Sequence, residues 1–331
     1  MSPSENATLR TAAVDAVVAA SKVCREVQAR LVAGASLEKG DKSPVTVADF
    51  AAQAIVSHLL ERVSPDIPMV GEEDSSDLRE EGNAALKDQV VASVQAVLPE
   101  LDEDGVLAAI DRGTYAGSAT GRHWVLDPID GTKGFLRLDQ YAVALGLIVD
   151  GEVQLGVLGC PNLPLNGDGG GDKGCIFIGE AGGQATQRGI EDADEHVISV
   201  DPVSVPADAR FCESVEKGHT SQSDSAKVAE RLGITAPPYR IDSQCKYAAV
   251  ARGDAAVYLR LPTRPGYVEK VWDHAAGVAV IEAAGGKVTD CRGAPLDFSL
   301  GRLLEKNKGV IVTNGRFHDE VVVAVRAQLG L

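Results

Sequence analysis

No CxxC pair and no cysteine–histidine run with zinc spacing occurs in this sequence, whose six cysteines (24, 160, 175, 212, 245 and 291) lie scattered along the chain. That scatter offers no thiolate metal site and fits reduced thiols in a cytoplasmic protein. No apolar run approaches the roughly 20 residues a membrane-spanning helix needs. The opening stretch, MSPSENATLRTAAVDAVVAASK, lacks a basic segment followed by an apolar core, so no secretory leader is expected. It is not an arginine-rich transit peptide either, although a trimmed start would hide one and leaves an organelle open. Basic residues are also in deficit, 32 against 48 acidic, for a net charge of −16. A broad nucleic-acid surface needs clustered Lys and Arg, so nucleic acid is excluded as a partner. An anionic ligand must instead be met by metal ions or by a local basic pocket. The expected partner is a small molecule, with no membrane and a monomer favoured over an obligate oligomer.

What is present is an ordinary globular composition, 44% hydrophobic and 24% charged, in 331 residues, enough for two packed domains. Residues 7 to 32 place Leu9, Ala13, Val17, Ala20, Cys24, Val27 and Leu31 on one helical stripe. After the polar break LEKGDKSP, a second helix is expected from Thr46, with Asp49 in its first turn. Short strands follow at Ile67 to Val70 and His123 to Leu126, with a helical stretch between. Tyr141 to Val149 and Glu152 to Leu158 are strands joined by Asp150-Gly151, a strong hairpin signal. Pro161 to Gly174, PNLPLNGDGGGDKG, reads as loop and sets the domain boundary, giving an N-terminal α+β domain over 1–160 and a C-terminal α/β domain over 161–331. Strands and helices alternate beyond it, including a long helix from Trp272 to Ala284, as in a sheet covered by helices.

One stretch poses a chemical problem. In VLDPIDGTKGF (Val125 to Phe135) an apolar run ends on two carboxylates three residues apart. Each makes ionising the other harder, unless a divalent cation lies between them. Pro128 fixes its own φ and keeps Asp127 extended, which aims both side chains and the Ile129 carbonyl to one side. Gly131 and Thr132 then offer backbone N–H groups suited to phosphate oxygens. On these residues alone, an acidic turn and helix cap remains an equal alternative. GEED (Gly71 to Asp74) ends another short apolar run, and WDHAAG puts Asp273 at the start of a helix of small residues. Carboxylates from four separate segments are what multi-metal phosphoryl transfer requires.

DPIDGTKGF, GEED and WDHAAG together resemble the lithium-sensitive phosphatase superfamily of inositol monophosphatase and fructose-1,6-bisphosphatase. SPVTVADFAAQAIV, GVLGCPNLPL, EKGH, RIDSQCKYAAVARGDAAVYLRLP and EKVWDHAAG are similar within it to the 3′(2′),5′-bisphosphate nucleotidases, plant-type members most of all. The likeness covers nearly the whole chain and is weakest over 75–110 and 163–200. It implies a layered αβαβα sandwich and a Mg²⁺-dependent phosphomonoesterase with two or three ions. That enzyme would remove the 3′-phosphate from adenosine 3′,5′-bisphosphate, a by-product of sulfate transfer, and would also act on 3′-phosphoadenylyl sulfate. Carried over motif by motif, Glu72, Asp127, Ile129 (through its carbonyl), Asp130 and Asp273 hold metal. Asp49 and Thr132 position and deprotonate the attacking water. Gly131, Thr132, His219, Ser243, Lys246, Arg260 and Asp273 hold the nucleotide. Two alternatives stay open: a phosphatase of inositol polyphosphates, and a non-catalytic sensor of the bisphosphate nucleotide.

Cys160 ends one expected strand and Cys175 begins another. If the two strands pair across the glycine-rich loop, the thiols face each other at its base, a candidate redox pair.

Overall fold

The structure is a computed structural model that describes residues 2–33, 43–167, 171–215, 221–264 and 266–331, the side chains of 31–33 and 43–45 excepted. Helices α1 (Pro3–Ala33) and α2 (Ser43–Val63) lie against one another and against a seven-stranded sheet. That sheet runs in chain order: β1 (Met69–Gly71), β2 (Arg122–Asp130), β3 (Ala142–Val149), β4 (Glu152–Pro164), β5 (Lys173–Glu180), β6 (Thr186–Gly189) and β7 (His196–Val197). Helices α3 (Ala84–Gln95) and α4 (Glu103–Asp111) fill the span between β1 and β2 and pack on α2. A five-stranded sheet follows, ordered β11 (Lys287–Thr289), β12 (Val310–Thr313), β10 (Val257–Arg260), β8 (Phe211–Glu213) and β9 (Tyr239–Arg240). Between the sheets lie α7 (Cys245–Ala251) and α8 (Ala275–Ala283), and the far face of the second sheet carries α6 (Gln222–Arg231) and α9 (His318–Leu329). The result is the expected αβαβα stack.

Period-two alternation shows how the strands bind the layers together. In β3, Val143, Leu145 and Leu147 join the core beneath α1 and α2. Ala142, Ala144 and Ile148 join the core shared with α7 and α8. Both faces are covered, so the strand reads AVALGLIV with no polar position even though its pairing is antiparallel. The β3–β4 turn is the tight hairpin that Asp150-Gly151 signals, with φ of 51° and 81°.

Several boundaries differ from those expected, each for a local reason. Helix α2 begins at Ser43 rather than Thr46, because a proline (Pro44) is well tolerated in a first turn; Asp49 therefore lies inside the helix. Strand β2 continues through the DPID motif to Asp130, and its ladder with β3 shifts register between Asp127 and Asp130, where Pro128 has no N–H to give. Strand β4 likewise runs through Pro161 to Pro164 with an irregularity after Cys160, so the expected loop shrinks to the span before Lys173. The first sheet ends at β7 and the second begins at β8. Helix α8 begins at Ala275, which leaves Asp273 in the turn before it. Cys160 and Cys175 are direct partners in the β4–β5 ladder. Both thiols are free and buried, and burial pushes the Cys175 thiol up to about 12 and that of Cys160 upward too, so little thiolate is present at neutral pH.

Helix α8 lies close on the first sheet because three strands present glycine to it. A Cβ at Gly156 would stand 2.3 Å from the Ala276 carbonyl oxygen, one at Gly179 would stand 2.5 Å from that of Ala279, and one at Gly146 would meet Ala275 Cβ at 3.0 Å. This floor fixes the height of α8 and hence of Asp273. Gly156→Val should destabilise the protein by about 1–3 kcal/mol through overpacking. Denaturant unfolding measures this, and turnover should fall by more than the loss of folded protein explains, because Asp273 is lifted with the helix.

Candidate active site

Parallel pairing of β1 with β2 brings two acidic segments to one edge. Gly71 is in register with Leu126, and the Glu72 N–H donates to the Leu126 carbonyl at 3.2 Å, so Glu72 emerges beside Asp127. One carboxylate oxygen from each of Asp127, Asp130 and Asp273 lies within 4.8 Å of the others. Asp127 is buried and its Oδ1 has no hydrogen-bond partner. Asp49, also buried, faces the same acidic group from α2. Glu72 stands at the solvent-open rim.

The electrostatics follow from crowding. Burial, then Glu72, Asp130, Asp273 and Asp49, pushes the Asp127 carboxyl well above its ordinary value. Burial, then Glu73 and Glu72, does the same to Asp49. Asp130 is also raised by burial and by Asp273, tempered by Lys246, Arg260 and the Gln244 N–H, which donates to its Oδ2 at 2.6 Å. Desolvation and the Glu73 and Asp273 charges raise Glu72, although water at the rim screens it. Glu73, pressed by burial and by Asp74 and Asp77, rises to about 7. An all-oxygen set of this kind, with an orphaned buried carboxylate oxygen at its centre, fits a hard divalent cation.

The second sheet supplies positive charge. Gly131 has a left-handed φ of 96°, and a Cβ there would meet Ser243 Cβ at 2.8 Å, so only glycine lets the segment 242–246 approach the DPIDG turn. Ser243 itself has φ 64° and its Oγ donates to the Asp242 carbonyl at 2.6 Å. The buried Lys246 ammonium donates to the Ser243 carbonyl at 2.8 Å and lies 5.1 Å from the centre of the Tyr258 ring. Arg260, ending β10, pairs with Glu269 at 2.8 Å and with Asp273 at 3.1 Å. Its side chain therefore touches a carboxylate of the acidic cluster. Thr132 is exposed at the start of the short helix α5 (Thr132–Leu136), and among the described residues no hydrogen bond joins it to Asp49. Ile129 is buried between Asp127 and Asp130. His219 lies outside the described residues.

Three further residues shape the site. Buried Gln53 donates to the Glu73 and Ile110 carbonyls at 2.6 and 2.8 Å and accepts from the Glu73 N–H at 3.1 Å, which pins the strand end carrying Glu72. Gln244 donates to the Trp272 carbonyl at 2.9 Å and accepts from the Gly277 N–H at 3.2 Å, so one residue ties Asp130 to the segment of Asp273. Glu269 receives Arg260 and His274 Nε2 (3.2 Å), while His274 Nδ1 meets the Tyr247 hydroxyl at 2.7 Å. Gln53 had a signal, a lone amide in the apolar run FAAQAIV. Glu269 opens EKVWDHAAG, a stretch that carries the resemblance, but no role was expected of it.

A layered α/β sandwich with carboxylates gathered where two sheets meet is an arrangement suited to cation-dependent phosphoryl transfer. The chain belongs to the inositol monophosphatase family, whose model matches residues 5–330; that family is metal-dependent. Among similar proteins, a 3′(2′),5′-bisphosphate nucleotidase of Oryza sativa is 45% identical over 95% of this chain and 92% of its own. The 3′(2′),5′-bisphosphate nucleotidase 1 of Arabidopsis thaliana is 46% identical over 95% and 94%. The solved inositol monophosphatase of Anabaena (Nostoc) superposes with a TM-score of 0.61, covering 97% of this chain and 96% of that one at 23% identity, and so shares the fold. No helix among the described residues is long and apolar enough to cross a membrane.

Raised carboxyl pKa values mean that the folded chain, when no cation is bound, holds more protons than the unfolded chain. Its stability should therefore fall as pH climbs from the usual glutamate value of 4.5 through about 7, the range set by Glu73. Thermal unfolding in a chelator across that range checks the slope. Added Mg²⁺ should flatten it.

Proposed function

We propose that this chain is a Mg²⁺-dependent phosphomonoesterase that removes the 3′-phosphate of adenosine 3′,5′-bisphosphate, leaving AMP and phosphate. The carrying observation is the junction of an acidic cation site with a basic segment. The Gln244 N–H rests on Asp130 and Arg260 rests on Asp273, so a nucleotide whose 5′-phosphate is held by Lys246 and Arg260 would bring its 3′-phosphate to the carboxylates. The nucleotidases named above, similar along nearly the whole chain, support the nucleotide as substrate. 3′-Phosphoadenylyl sulfate, which carries the same 3′-phosphate, is a second substrate. A monomer acting in the cytoplasm accords with the net charge of −16 and with six buried free thiols.

The residue roles are those the family resemblance implies. Glu72, Asp127, Asp130, Asp273 and the Ile129 carbonyl hold the cations. Two or three bound Mg²⁺ ions would lower the pKa of the attacking water and offset charge on the phosphate. Asp49, whose carboxyl is pushed upward by burial and by Glu73 and Glu72, takes the water's proton, with Thr132 orienting that water. Lys246 and Arg260 grip the 5′-phosphate, and Ser243 and His219 orient the nucleoside. Gly131 and Thr132 offer their backbone N–H groups to the phosphate.

Phosphate release from adenosine 3′,5′-bisphosphate, with and without Mg²⁺ and beside an inositol polyphosphate, tests the assignment. Release should need Mg²⁺ and favour the nucleotide; preference for the inositol polyphosphate would overturn it. Asp130→Asn should lower turnover by about 10³-fold or more while the protein still unfolds cooperatively. Near-normal turnover would remove Asp130 from the cation site. Arg260→Lys keeps the charge but loses the planar fork, so KM for the nucleotide should rise by about tenfold, with Mg²⁺ affinity changed less. Initial rates over a nucleotide titration at saturating Mg²⁺ measure it.

A further inference from the structure

Arg302 lies in a turn after Gly301, remote in sequence from every residue assigned above. Its Nη2 donates to the Gly71 carbonyl at 2.5 Å, and its Nη1 donates to the carbonyls of Gly113 and Tyr115, both at 3.1 Å. Its guanidinium carbon lies 4.7 Å from the centre of the Trp272 ring. Its own carbonyl accepts from the Val271 N–H at 3.1 Å, and Leu303 bridges Lys270. The turn reaches this position because glycines meet there: a Cβ on Gly117 would stand 2.7 Å from the Gly301 Cα.

Two of these contacts immediately precede acidic residues of the cation site. Gly71 is followed by Glu72, and Trp272 by Asp273. Glu72 leaves the first sheet at β1, whereas Asp273 arrives in the turn before α8. Among the described contacts of Arg302, the hydrogen-bond acceptors are peptide carbonyls, which do not cancel its charge. Asp74 and Glu72 act on that charge electrostatically. A planar group with donors along its edge and an aromatic ring against its face holds both segments at once.

We infer that Arg302 is a positioning residue for the cation site, a brace that sets the separation of Glu72 from Asp273 and places positive charge behind the acidic group. The inference rests on the cation site and is independent of which phosphate ester is cleaved. Lysine supplies one ammonium, which cannot serve three divergent carbonyls and stack on Trp272 together, so charge alone does not replace it.

The test is Mg²⁺ binding to the nucleotide-free protein, read by calorimetry, for wild type, Arg302→Lys and Arg302→Met. Supporting groups of this kind typically govern metal affinity by about 10–100-fold. Both variants should bind Mg²⁺ at least about tenfold more weakly, while KM for the nucleotide at saturating Mg²⁺ shifts less than about threefold. If either Arg302 variant fails to fold, Trp272→Leu decides, since it removes the ring and keeps the three carbonyl bonds. It should weaken Mg²⁺ binding, and Trp272→Phe should restore most of the loss. Variants that bind Mg²⁺ like wild type, even with lowered thermal stability, would overturn the inference and leave the proposed function standing. A wild-type protein that binds no Mg²⁺ would overturn the cation site and the brace together.

Discussion

Carboxylates gathered at the end of buried strands repel one another and lose the water that would stabilise their charge. In this chain Asp49 and Asp127 are buried, Asp130 and Asp273 are half-buried, and Glu72 stands at the rim of the same group. Nearby cations offset only part of this: Arg260 is shared between Glu269 and Asp273, and Lys246 is turned onto the Ser243 carbonyl. A divalent ion reverses the sign of each repulsion, and the arrangement makes physical sense around one.

The layers then serve to deliver those carboxylates from distant parts of the chain. Parallel β1 and β2 set Glu72 beside Asp127, and the register shift at Pro128 lets Asp130 turn toward the same space. The glycine floor of β3, β4 and β5 lets α8 lie close enough to bring Asp273 into reach. Gln53, Gln244 and Arg302 bind the delivering segments through backbone groups, so the positions of Glu72 and Asp273 depend on hydrogen bonds to the residues next to them.

Acidic residues ending apolar runs were readable from the sequence, though DPID alone left an acidic turn and helix cap as an equal alternative until GEED, WDHAAG and Asp49 were set beside it. The α1 stripe and the β3–β4 hairpin were equally readable from periodicity and turn chemistry. Strands β6 and β7 were not: TQRG and HV are short and half-buried or exposed, and they show no alternation. Pro161 read as a strand terminator, yet an irregularity in the ladder accommodates its missing N–H and β4 continues. Arg302 acts through contacts with segments far away in sequence, and nothing in its local sequence marks such a contact. The layer order came from family resemblance, and the packing of buried side chains on alternate faces of the strands agrees with it.

The claim that a cation completes this acidic group is tested most directly by the protons it displaces. Carboxyls held above their ordinary pKa must lose protons when a divalent ion binds. Calorimetric titration of Mg²⁺ into the nucleotide-free protein near about pH 6.5, in two buffers of different ionisation enthalpy, reads that release as a difference in apparent heat. The account predicts net proton release at this pH. Heats that match in both buffers, for a protein that binds Mg²⁺, would contradict it.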